Sequence, residues 1–157
     1  MNDDAKSKLT EVLERRERDK AAAAIEQQAR EAAASEKEAL RESIRHRWVL
    51  AKDEIGAAVD AVNAEIAPTG LVLSWSEKLR GDDHAGLAQL FINLAEDGDP
   101  RERRLVFNVS ALGLVQPVTL IPHTGRKIPD FKIEEVNKDH YEGVIVDFID
   151  QCGSKKP

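Results

Sequence analysis

From Asp3 to Ala67 the chain contains no proline and a single glycine, Gly56, while Ala, Glu, Arg, Lys and Gln dominate. Those residues lose little on entering a helix, and nothing in the run breaks one, so this whole stretch reads as helical. The stop is specific. Pro68 disfavours helical angles at Ala67, and Gly70 can supply a turn or left-handed conformation. After Gly70 the composition changes to β-branched and apolar runs separated by Gly, Pro and Asp, the punctuation of strands and tight turns.

The helical half is itself uneven. Leu40, Ile44, Trp48, Ala51, Ile55, Val59, Val62 and Ile66 follow one another at steps of three or four, which keeps them on one face of a 3.6-residue helix. Glu42, Arg45, Lys52, Asp53 and Asp60 lie on the opposite face and are expected to meet water. Upstream, residues 3–37 carry nine acids against eight bases. Glu11 with Arg15, Glu14 with Arg18 and Glu26 with Arg30 have the spacing that supports a helix in water, at roughly 0.2–0.5 kcal/mol each. The best heptad seam there is Ala22, Ile25, Ala29 and Ala32, continuing to Glu36 and Ala39. Small residues allow close helix approach but bury little area, so the coiled-coil signal is weak. An unbroken helix from about residue 5 to 66 runs roughly 90 Å, longer than a compact domain of the remaining residues. The expected division is a charged, Ala-rich helical arm over residues 1–37, an α+β domain over 38–152 and a flexible tail over 153–157.

In the second half, Leu71, Leu73 and Trp75 alternate with Val72, Ser74 and Ser76, as a one-faced strand requires. Ala88, Leu90, Ile92 and Leu94 do the same in the next run. Glu96-Asp97-Gly98-Asp99-Pro100 is dense in turn formers and leads to Leu105, Phe107 and Val109, which makes a hairpin. Ala111-Leu112-Gly113 turns the chain again into 114–121, where Pro117 cannot donate to a ladder and argues for an edge, bulge or bend. A short run ending in Phe131-Lys132-Ile133 completes four or five strands. Tyr141, Val144, Ile145, Phe148, Ile149 and Cys152 then return to helical spacing, with Asn137 or Asp139 available as cap. The fold class is therefore α+β: a long N-terminal helix, an antiparallel four- or five-stranded meander, and a C-terminal helix, with both helices on one sheet face.

Function is narrowed mainly by what is missing. The 157 residues hold 23 Lys and Arg against 29 Asp and Glu, a net charge of −6, so there is no general attraction to phosphate backbones or anionic lipid. Cys152 is the only cysteine, which excludes an intramolecular disulfide and a multi-thiolate metal site. The acidic start, Met1-Asn2-Asp3-Asp4, has no apolar stretch behind it and does not read as a secretory signal; a cytoplasmic setting is expected, and no run suits a membrane span. Glycines are isolated, so there is no phosphate loop or dinucleotide fingerprint, and neither a nucleophile elbow nor a His-Glu-x-x-His helix occurs. No cofactor is implied.

Three groups of residues could still carry chemistry. Gly81-Asp82-Asp83-His84 puts two carboxylates beside an imidazole, which could hold a cation but is also ordinary loop composition. In a meander, the second-to-third and fourth-to-fifth connections share one end, so Arg101, Arg103 and Arg104 approach His123, Arg126 and Lys127. Such a cluster could bind an anion or nucleic acid, unless Glu96, Asp97, Asp99 and Glu102 neutralise it locally. Trp48, Trp75 and Cys152 read as core. The leading expectation is a non-enzymatic interaction or assembly protein whose N-terminal helix, through Ala22, Ile25, Ala29 and Ala32, meets a protein partner or a second copy. A nucleic-acid or anion-binding module is the alternative, and a small metal-dependent or hydrolytic enzyme comes third.

Overall fold

The computed structural model describes residues 2–79, 86–122 and 126–153. The elements are α1 (Asp3–Ile66), β1 (Leu71–Leu79), β2 (Gly86–Glu96), β3 (Asp99–Ser110), β4 (Leu114–Leu120), β5 (Phe131–Lys132) and α2 (Lys138–Gly153), with 3-10 turns at Ala67–Thr69 and Ile133–Glu135. The five strands form one antiparallel sheet in the order β1-β2-β3-β4-β5. The protein is thus α+β, with a helix, a meander and a closing helix. The chain divides into two compact units, Met1–Leu40 and Arg41–Pro157. Of the expected tail, Gly153 alone lies within the described residues, as the last residue of α2.

In the first unit, residues 2–40 are all exposed. Asn2 caps the helix by accepting from the Ala5 amide at 2.7 Å, and Asp3 and Asp4 stand in the first turn, where a helix N-terminus favours acids. The Glu26–Arg30 pair forms as spaced.

In the second unit, α1 buries Ile44, Trp48, Ala51, Ile55, Ala58, Val59 and Val62. Leu40, at the head of the expected stripe, is 41% exposed, so the buried face starts one turn later, at Ile44. Across from it the sheet supplies Leu73, Ala88, Leu90, Ile92, Leu94, Leu105, Phe107, Val109 and Val115, and α2 supplies Tyr141, Val144, Ile145, Phe148 and Cys152. Register explains the alternation. Leu73 pairs Leu94, Leu90 pairs Phe107, and Val109 pairs Val115, so one side of every strand meets the helices. Phe107 touches Phe131 and Tyr141 edge-on, with ring centroids 6.2 and 5.9 Å apart.

Local chemistry sets the ends of these elements. Gly70 takes φ +82° and its amide closes the 3-10 turn on Ala67. Asn137 accepts from the Asp139 amide at 3.1 Å and caps α2. Pro117 lies opposite Phe107 on β3, whereas β5 pairs with β4 at Leu114 and Val115 alone. The imide therefore falls beyond β5, on the stretch of β4 that behaves as an edge.

Two expectations are corrected here. Trp75, read as core, is 38% exposed; its indole lies over Gly56, where an added Cβ would sit 3.4 Å from the ring. Lys52, read as facing water, instead donates from Nζ to Glu77 Oε1 at 3.0 Å.

Candidate functional site

Where the structure describes the residues singled out in the sequence, most of them meet a partner of their own. Arg101 is exposed and makes a bidentate bond to Asp99, with Nε 3.0 Å from Oδ1 and Nη2 2.6 Å from Oδ2. That contact, with further help from Arg103, holds the Asp99 carboxyl well below its usual range. Arg103 and Arg104 are neighbours in a strand and so point to opposite faces. Arg103 turns inward and is 5% exposed, with Nη2 at 3.6 Å from Glu96 and 3.7 Å from Asp99. Arg104 turns outward, bonds Asn93 through Nε at 2.8 Å and lies 5.1 Å from the centre of the Phe91 ring. Arg126 binds Asp147 and Asp150 of α2 at 3.1 and 3.0 Å. Lys127 is exposed. His123 and the Gly81–His84 segment lie outside the described residues. Among the described residues, no group of three His, Cys, Asp or Glu side chains is placed to hold a metal ion.

Ala22, Ile25, Ala29 and Ala32 are exposed, Ile25 at 67%. A second stripe on the same helix is more apolar. Leu9, Val12 and Leu13, at the spacing i, i+3, i+4, are 45%, 48% and 53% exposed, and at 100° per residue they fall on the side of the helix away from Ile25. Heptad counting over residues 22–39 passes over this cluster, although its spacing is legible in the sequence.

Two polar arrangements are created only by folding. Arg47 donates from Nη2 to the Val136 carbonyl at 2.8 Å, and its Nη1 stands 3.1 Å from Glu54 Oε1. The Tyr141 hydroxyl is fully buried without a hydrogen-bond partner. Burial pushes that phenol up to about 12, Arg47 opposing and Glu54 adding to the rise. The Arg47 bond ties the turn before α2 to α1. At the sheet's first edge, Trp48 Nε1 and Lys52 Nζ both donate to the Glu77 carboxylate, so a half-buried charge is satisfied by one cation and one neutral donor. Cys152 is a free, buried thiol, raised by burial to about 11 with Arg103 pulling the other way; a thiol so placed is a poor nucleophile near neutral pH.

The surfaces are more informative than the interior. On the sheet face away from the helices, Phe91 pairs with Val106 and Val106 with Val118, giving an apolar row between polar ones in which Gln89 donates to Asn108 at 2.6 Å. Lys78 and Arg104 are the charged residues among the outward-facing cross-strand pairs of β1–β4, against 33% charged residues in the whole chain. Between the end of α1 and α2 runs a groove of about 360 Å³, floored by Val62, Ile66, Val146 and Ile149, with Glu65 and Glu142 on its rim. No described helix is long and apolar enough to cross a membrane. No protein-family model matches the chain, and neither a curated protein nor a solved structure matches it.

Proposed function

We propose that the protein is a non-enzymatic cytoplasmic interaction or assembly module that engages its partner through the N-terminal helix. The observation that carries this reading is the exposure of every residue from 2 to 40, with Leu9, Val12, Leu13 and Ile25 presenting apolar side chains to solvent. Helices in proteins gain most of their stability by burying an apolar face. A helical unit that buries none of its own is completed by another molecule, in the manner of amphipathic helices that dock in grooves or pair with one another. The body bounded by Arg41 supplies the stable fold that carries it. A single cysteine kept as a free thiol suits a reducing compartment.

The alternative, anion or nucleic-acid binding through the arginine-rich turn, draws less support. Arg101 is held by Asp99, Arg103 is buried, and Arg126 faces two aspartates of α2. Capture from a native extract tests the leading reading: the full chain is expected to retain proteins that a chain beginning at Arg41 does not. Identical sets retained by both chains, or none by either, would refute it.

A further inference from the structure

Resting on that reading, we infer that the partner is a second copy of this chain, and that the Leu9 stripe of one copy docks in the groove between α1 and α2 of the other. Charge complementarity selects this occupant. Over residues 6–20, the side chains within about 60° of Leu9 on the helical wheel are Val12 and Leu13 together with Lys6, Arg16 and Lys20, three cations and no carboxylate. The flanking acids Glu17 and Asp19 lie further round, and Glu14 is on the far side. The stripe is thus an apolar ridge with a basic fringe.

The groove is its complement. Val146 is 55% exposed in the groove wall, and Ile66 and Ile149 are half-buried beside it. The acids on the rim are Glu65, which is exposed, and Glu142, which Lys138 meets from one turn back at 3.3 Å. The groove lies at the last turn of α1, which carries no basic residue, so the negative end of that helix dipole adds to the two carboxylates. A cationic apolar helix fits this surface, whereas an acidic one is repelled. Two-fold symmetry repeats the contact, so each copy contributes one stripe and one groove. The resulting dimer dissociates on dilution, because two short contacts leave little surplus over the cost of association.

Charge reversal in full-length chains tests this. One variant carries Lys6→Glu, Arg16→Glu and Lys20→Glu; the other carries Glu65→Lys and Glu142→Lys. Lys6, Arg16, Lys20 and Glu65 are exposed and Glu142 is half-buried, and circular dichroism verifies that each variant folds. In sedimentation equilibrium each variant alone is expected to dimerise about tenfold or more weakly than the parent. Mixed together, they are expected to form a one-to-one heterodimer as tight as the parent dimer, because each of its two contacts then pairs opposite charges. A parent chain that stays monomeric at 100 µM overturns the inference, as do folded variants that associate normally alone or fail to associate when mixed. If the full chain stays monomeric yet retains an arm-dependent protein from extract, the inference falls and the proposed function stands.

Discussion

Gly113 shows how one residue can carry two structural demands. It sits at φ +91°, a region that costs an L-residue about 1–2 kcal/mol, and a Cβ there would meet Ile44 Cδ1 at 2.8 Å and Ile133 Cγ2 at 3.2 Å. Its carbonyl also accepts from the Ile133 amide at 2.8 Å, so the backbone has little room to shift. Gly113→Ala is expected to destabilise the protein by about 2–4 kcal/mol, adding overpacking to the dihedral cost. Gly70 has a similar φ, +82°, but open space around it, and Gly70→Ala is expected to cost about 1 kcal/mol. Urea unfolding of the two variants separates the contributions; equal losses would mean that the Ile44 contact is not limiting. Cys152 gives a pH signature. Its thiol ionises at an ordinary 9.0 when unfolded and at about 11 when folded. The unfolded chain therefore loses its proton first, and the stability contributed by the neutral thiol, fully present below 9, falls as pH rises toward 11. The parent is expected to lose more stability between pH 8 and 10.5 than Cys152→Ala does, read as the shift in urea midpoint.

At the scale of the elements, the free edge of β1 is the point most in need of protection. Strand β1 pairs with β2 on one side, and on the other the Asn63 carboxamide takes the place of a neighbouring strand, accepting from the Leu73 amide at 2.8 Å and donating to its carbonyl at 3.0 Å. A side chain of α1 thus joins helix to sheet and occupies backbone groups that would otherwise invite another strand. Asn63→Ala is expected to cost about 1–3 kcal/mol, since both Leu73 groups lose their partner while partly buried. Hydrogen exchange at the Leu73 amide should quicken in that variant beyond what the global destabilisation gives; unchanged relative protection would show that water replaces the amide. Asn63→Asp keeps the acceptor but sets a carboxylate against the Leu73 carbonyl, and is expected to be at least as damaging.

At the scale of the whole molecule, the core belongs to the unit that starts at Arg41. Its helices and sheet share one continuous cluster of buried apolar residues, the earliest of which is Ile44. A chain beginning at Arg41 is expected to unfold cooperatively by calorimetry, with a midpoint close to that of the full chain at low concentration, because residues 2–40 are all exposed and the buried cluster starts at Ile44. At high concentration the full chain should melt later than the shortened one, as mass action stabilises any native state that associates. A shortened chain without a cooperative transition would place part of the folding information in the arm.

Most of the architecture was legible from periodicity alone. The helix stop at Pro68 and Gly70, the alternation through Leu90, Ile92 and Leu94, the meander order and the Asn137 cap all follow from spacing of 2 or 3.6 residues and from the local chemistry of turn and cap residues, which acts within a few positions of the chain. The same alternation sends Arg103 and Arg104 to opposite faces, although in sequence they group as one cluster. What only the tertiary structure decided is which long polar side chains meet. Arg47 reaches Val136, Arg126 reaches Asp147 and Asp150, and Glu77 receives Trp48 and Lys52, each across an interval in which no local rule relates the partners. Leu40 is exposed and Ile44 is buried on the same stripe because burial depends on where the opposing sheet ends. A helical repeat specifies a face; the extent of its burial is set by what packs against it.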